Sequence, residues 1–206
     1  MDSDAGVLAS SPAIAHYPLD GMAMTTFWHG FLSGVAHPVL GIDHLVFILT
    51  IGVSAVFASG KMKMAACALV GVFAGVALTI AGIAIPGVET LIAISLIVLG
   101  GIVLASAFVN SASDRLSFFV TLLPVAVSVF SVLHGSMYAR VLVEQKSLVF
   151  SVVAGFVLAL PVIYTLLLLL GNAASIGFQQ FSRTAFGPTR LMSLLSIGLG
   201  VSLLAA

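Results

Sequence analysis

The feature that most limits what this chain can fold into is a succession of apolar runs, each about as long as a bilayer is thick. A helix needs roughly 20 mostly apolar residues to cross the hydrocarbon core. Runs of that kind stand at about 39–58, 64–86, 89–110, 116–140, 147–171 and 190–206, and a shorter apolar segment at about 22–36 precedes them. Of the 206 residues, 61% are hydrophobic and 7% charged. Ordinary soluble domains carry about 25% charged residues, and a soluble fold of this size could not hide so much apolar surface. Lipid can, because hydrocarbon accepts a helix that is apolar all round. The sequence therefore predicts an all-α, polytopic transmembrane helical bundle of about six spans plus a short N-terminal helical segment.

Several function classes drop out. The formal net charge is zero, so no basic stripe points to nucleic acid. The lone cysteine, Cys67, excludes an intrachain disulfide and a cysteine metal cluster, and reads as a small packing residue. No nucleotide-binding loop is present, so ATP hydrolysis by this chain is not expected. Residues 1–21 read as a polar tail, without the basic start and apolar stretch of a secretory signal. No linker rich in Pro, Gly or Ser divides 22–206, which reads as one transmembrane domain.

Basic residues near the span ends set the orientation. Lys61, Lys63, Arg115, Arg183 and Arg190 collect on one face, against Arg140 and Lys146 on the other. The face with five is expected to be cytoplasmic, which leaves both termini outside. Trp28, near the outer boundary, suits an interfacial anchor. Gly71, Gly75, Thr79 and Gly82 share one face of the second span and would let another helix approach closely. Pro124 and Pro161 are expected to kink their helices. The link at 172–189 is amphipathic enough to lie on the membrane surface.

Ionisable groups inside a membrane are costly, so each needs a reason. The densest cluster is His37-Pro38-Val39-Leu40-Gly41-Ile42-Asp43-His44. Pro38 disfavours helical geometry at His37 and predicts a break there. If the stretch were helical instead, His37 and His44 would share nearly one face. In either case the two imidazoles and the Asp43 carboxylate can converge, and that donor set suits nickel, cobalt or zinc. Asp43 could instead orient an imidazole.

A second polar place is His134-Gly135. Beside it Thr121, Pro124, Ser128, Ser131, Gly135 and Tyr138 form a polar or small stripe that could face a hydrated path or simply bond neighbouring backbone. With the orientation above, His44 and His134 both lie roughly 7–9 Å in from the outer end of their spans, at 1.5 Å per residue. That common depth points to one outward-facing site. Glu89 and Glu144, at the same boundary, could attract cations or be solvated loop charges. Arg140 and Glu144 are spaced to pair.

At these residues the chain resembles the HupE/UreJ family of bacterial membrane proteins, associated with nickel or cobalt uptake. The first-helix pattern H-P-x-x-G-x-D-H is matched in full by His37, Pro38, Gly41, Asp43 and His44. A later pattern, near H-G-x-A-H-G, is met by His134 and Gly135, while Tyr138 and Ala139 stand at the places of its second histidine and last glycine. The resemblance covers about 22–206 and implies metal recognition by His37, Asp43, His44 and His134.

Taken together, the expectation is a secondary importer of Ni2+ or Co2+ in the bacterial inner membrane. It would not be an enzyme and would hold no permanent cofactor. Its partners would be the ion and the lipid bilayer, with homo-oligomerisation left open. The rivals are a metal-binding accessory protein that moves nothing, a bis-histidine haem protein and an intramembrane zinc hydrolase. Protons compete with metal for imidazole near pH 6–7, so uptake should fall in acid. Uptake that stays level down to pH 5 would count against histidine ligation.

Overall fold

In the computed structural model, residues 23–55, 61–108, 114–181 and 187–206 are described. The tail 1–21 and parts of the three links expected on the cytoplasmic face lie outside them. The described residues are all helical apart from turns, in the order α1 (Phe27–Leu40), α2 (Ile42–Ser54), α3 (Lys61–Ile80), α4 (Val88–Phe108), α5 (Asp114–Glu144), α6 (Phe150–Phe181) and α7 (Pro188–Ala205). The last five are each long and apolar enough to cross a membrane. Large apolar side chains stand exposed on every one of them, among them Val70, Val98, Val125, Leu166 and Leu191. Buried inside are Ser33, His37, His44, Ser95, Ser131 and His134 beside Phe47, Leu99 and Tyr164. Apolar surface outside and polar groups inside is the arrangement expected where the solvent is hydrocarbon.

The first span departs from expectation. Residues 39–55, the described part of the expected span 39–58, do not form one helix after a shorter one. Two helices of 14 and 13 residues meet instead at a 78° bend, and neither alone reaches the roughly 20 residues a crossing needs. The break falls at Gly41, whereas His37 and Pro38 are both helical. Proline removes one donor and clashes with the preceding turn, but so near the helix end little helix remains to lose. Gly41 closes α1 by donating to the His37 carbonyl at 3.0 Å and opens α2 by accepting from the Leu45 amide at 2.8 Å.

The neighbours of this pair on α6 show how it runs. Gly30 packs on Val152, Gly34 on Phe156 and Ala159, and Gly52 on Leu168 and Gly171. The contacts thus advance from residue 152 to residue 171 of α6, roughly 28 Å at 1.5 Å per residue, close to the thickness of a hydrocarbon core. That is the course of one broken span rather than a loop returning to its own side. The helices then alternate: α3 and α5 run parallel through Gly71 on Ser128 and Gly75 on Val132, and α4 and α7 antiparallel through Gly100 on Ser193 and Gly200 on Ala93. The start of α1 and the end of α7 lie at the same end of the bundle.

Gly71 and Gly75 do carry a close helix contact, reinforced by Thr79 donating to the Ser136 carbonyl at 3.0 Å. Gly82 does not belong to that face. Its φ is +79° and nothing lies near it. It ends α3, with the Ile83 amide reaching back to the Leu78 carbonyl at 2.9 Å, the closure typical of a left-handed glycine after a helix. Hence α3 stops at Ile80 and not near 86. In the other direction α6 runs on to Phe181, so the first half of the expected surface link is helix. Pro124 and Pro161 lie within α5 and α6, which continue through them.

Candidate metal centre

The bend at Gly41 is what builds the site. His37 occupies the last turn of α1, while Asp43 and His44 occupy the first turn of α2. A straight helix would stack the two imidazoles seven residues apart. The bend turns them toward each other, with ring centroids 5.4 Å apart. Asp43 sits at the positive end of the α2 dipole, where a carboxylate is favoured.

Gly41 is needed here for space rather than for backbone freedom. Its φ of −75° and ψ of 104° are open to any residue, but a Cβ there would lie 2.7 Å from Cδ2 of His44 and 3.2 Å from Oδ1 of Asp43. Gly41→Ala should therefore leave the fold standing and displace the His44 ring. We expect nickel affinity of the purified protein to fall about tenfold or more, the scale seen when support for a ligand is lost. An affinity equal to wild type, measured by titration, would show that the ring has room to spare.

The α5 helix supplies the facing group. Nδ1 of His44 and Nδ1 of His134 are 2.7 Å apart, both residues buried. Asp43 Oδ2 stands 3.6 Å from the same His44 nitrogen. Phe47, one turn beyond His44, lies flat on the His134 ring at a centroid distance of 3.9 Å and 13° between planes. Ser95 of α4 closes the far side, its Oγ 3.1 Å from His134 Nε2. Tyr138, one turn beyond His134, presents its ring to His37 at 5.4 Å and to His44 at 4.7 Å, and its hydroxyl meets that of Tyr164 at 2.9 Å.

The four residues expected to take metal are thus neighbours but not a finished cage. His44 and His134 touch, while His37 and Asp43 flank them. Among the described residues, no three His, Cys, Asp or Glu side chains stand ready to hold an ion together. The pair itself is close to what chelation needs. Metal–imidazole bonds of about 2.0–2.1 Å put two adjacent ligand nitrogens roughly 3 Å apart. The Nδ1 atoms would have to part by well under 1 Å for an ion to replace the hydrogen bond between them, a step within reach of small rotations of two rings. Asp43 Oδ2 stands 3.6 Å from His44 Nδ1 and the His37 ring lies 5.4 Å from the His44 ring, so both border the pair.

The same geometry decides between other readings of these residues. A porphyrin must stand between two axial ligands, and imidazoles in direct hydrogen-bond contact leave it no slot. The small residues beside His134 face α3 and not a water path: Ser128 donates to the Cys67 carbonyl at 3.0 Å, and Gly135 lies against the Val72 backbone. At the end of the bundle where α5 stops, Arg140 pairs with both Glu89 (3.2 Å) and Glu144 (3.5 Å). These three line a cleft of about 520 Å³ with Thr79, Thr90 and Ser136.

Sequence reasoning did not single out Phe47, Ser95 or Tyr164. Phe47 could have been found, since it follows His44 by three residues and so shares its face. Ser95 is one hydroxyl in the apolar run of α4, a weak signal until a partner is known. Tyr164 carries none.

Comparison with known proteins agrees with the motif. No curated protein and no solved structure matches the chain. The family model described as HupE / UreJ protein matches residues 5–203, which is nearly the whole length and includes both histidine segments. A match of that extent, over the segments that carry His37, Asp43, His44 and His134, places this chain in the HupE/UreJ family.

Proposed function

We propose that this protein is a secondary importer of Ni2+ or Co2+ in the bacterial inner membrane, with the start of α1 and the end of α7 facing outside. The observation that carries the reading is the buried His44–His134 pair, with 2.7 Å between its Nδ1 atoms, inside a bundle of membrane-spanning helices. Two imidazoles beside a carboxylate are a donor set for late first-row ions. Burying them in lipid is costly enough to need a function. The family's association with nickel and cobalt uptake supports the choice of ions, and the excess of basic residues at the opposite end supports the orientation.

In this reading an ion arrives at the end of the bundle where α4 begins and α5 stops. The glutamates at the cleft there lower the cost of bringing a cation to the low-dielectric interior. The ion then takes the place of the hydrogen held between His44 and His134, that proton leaving to water, while Asp43 and His37 replace part of the ion's own water. Inward release follows when the helices that carry the pair separate. The α1–α2 bend is the natural place for that movement, because α2 can swing about Gly41 without breaking a helix. Binding must stay weak enough for the ion to leave.

Purified protein reconstituted into lipid vesicles tests this. With radiolabelled nickel or cobalt outside, we expect time-dependent accumulation that a detergent pulse releases. Ion bound at one saturating level, with none inside, would instead identify a metal-binding accessory protein. Neither binding nor accumulation would end the metal reading.

A further inference from the structure

Among the polar groups not yet given a task, Ser95 is the most constrained. It is fully buried in α4, six residues beyond Glu89, in a stretch otherwise apolar. Its Oγ lies 2.7 Å from the Ile92 carbonyl and 3.1 Å from His134 Nε2. A serine hydroxyl has one proton to give and two lone pairs to offer. The Ile92 carbonyl can only accept and is the nearer of the two partners, so the proton is assigned there. Toward His134 the same oxygen can then only accept, and Nε2 must carry a hydrogen.

A neutral imidazole has one N–H and one bare nitrogen. With Nε2 protonated, the bare nitrogen of His134 is Nδ1, the atom that faces His44 at 2.7 Å. We propose that Ser95 is a positioning residue for the metal site: it holds His134 as the Nε2–H tautomer, so that Nδ1 is the nitrogen that binds the ion. The inference deepens the importer reading and rests on it for the identity of the ligand. A hydroxyl free to turn would allow either tautomer, and the hydrogen between the two rings would then not be kept off His134 Nδ1. The bond to Ile92 removes that freedom. Phe47, flat against one face of the ring, helps to hold it in this orientation.

The alternative tautomer reverses which of the two facing nitrogens is bare. If Ser95 turned to donate to Nε2, His134 Nδ1 would carry the hydrogen, and His44 Nδ1 would have to accept it. The ion-facing lone pair would then belong to His44 alone.

The tautomer can be read without any metal. In full-length protein labelled with 15N-histidine and reconstituted in lipid, solid-state NMR separates protonated from bare ring nitrogens. The His134 signals are those missing from a His134→Gln sample. We expect protonated Nε2 and bare Nδ1 in wild type, a mixture in Ser95→Ala, and the wild-type pattern in Ser95→Thr, which keeps the hydroxyl. Nickel titration should show Ser95→Ala weaker by about tenfold or more, the loss typical when a ligand's hydrogen-bond partner is removed, and Ser95→Thr within a few-fold of wild type. His134 protonated at Nδ1 in wild type overturns the proposal, as does a Ser95→Ala protein with an unchanged tautomer or unchanged affinity. If wild type binds no nickel and no cobalt, the importer reading fails, while the NMR result still decides what Ser95 does to the ring.

Discussion

Replacing either His44 or His134 by alanine should bring nickel and cobalt uptake down to that of cells lacking the protein, and replacing both should do no further harm. Each imidazole alone would give one nitrogen to an ion that the geometry offers two, 2.7 Å apart before the ion arrives. Losing one ligand of a chelating pair loses the chelate, so the effects of the single changes cannot add. The truncations also carry a structural cost. In His44→Ala, His134 Nδ1 stays buried without its donor, worth about 1–3 kcal/mol, and a cavity opens beneath Tyr138. Uptake must therefore be compared at matched amounts of folded protein. Asp43→Asn is the graded companion. Asp43 flanks the pair at 3.6 Å, so this variant should retain partial uptake. A double variant clearly worse than both single ones would mean that the two histidines act at separate places, and the paired site would have to be abandoned.

How far the sequence goes toward this site depends on the scale of the signal. Span-length apolar runs are averaged over some twenty residues, and such averages survive local irregularity; α4, α5 and α7 lie close to where the runs place them. Ends are set by single residues, and there the runs mislead. Gly82 looks like one more small residue on a packing face until its positive φ shows that it stops α3. The bend of the first span is an instructive case. Proline is the stronger helix breaker in general, yet the chain breaks at Gly41, where a side chain would collide with His44. The physical reason for that glycine is a contact between residues already known to matter, but a sequence does not disclose which ring will need the room. That His44 and His134 share a level was legible, but not its depth: the first span begins in α1 and α5 runs on to Glu144, so both lie deeper than the roughly 7–9 Å that ends at 39 and 140 would give at 1.5 Å per residue. Ser95 was not, because its importance lies in which atom it leaves bare on a residue 39 positions away.

Gly135→Ala should be among the single-methyl changes that damage this protein most. Gly135 follows His134 directly and faces α3, where a Cβ would stand 2.2 Å from the Val72 carbonyl oxygen and 2.7 Å from its Cα. Non-bonded carbon contacts are comfortable at about 3.5–4.0 Å, so α5 and α3 would have to part by roughly an ångström or more. Backbone cannot turn aside as a flexible side chain can, which puts the cost at or above the upper end of the about 1–3 kcal/mol usual for overpacking. Gly75 meets the Val132 carbonyl in the same way at the same level of this seam, and Gly71 the Ser128 carbonyl one turn earlier, so the two helices are held at short range over more than one turn and cannot yield at one point alone. Whatever fraction still assembles would carry His134 away from His44 and Ser95, and metal binding should fall even in the folded protein. Gly101→Ala is the control, since nothing lies within 4 Å of the added carbon and alanine is the better helix former by about 1 kcal/mol. Size-exclusion profiles and melting midpoints in detergent, followed by nickel titration of the monodisperse fraction, give both readouts. A Gly135→Ala protein that melts and binds like Gly101→Ala would mean that the seam is not as tight as these distances require, and that the position of His134 does not depend on it.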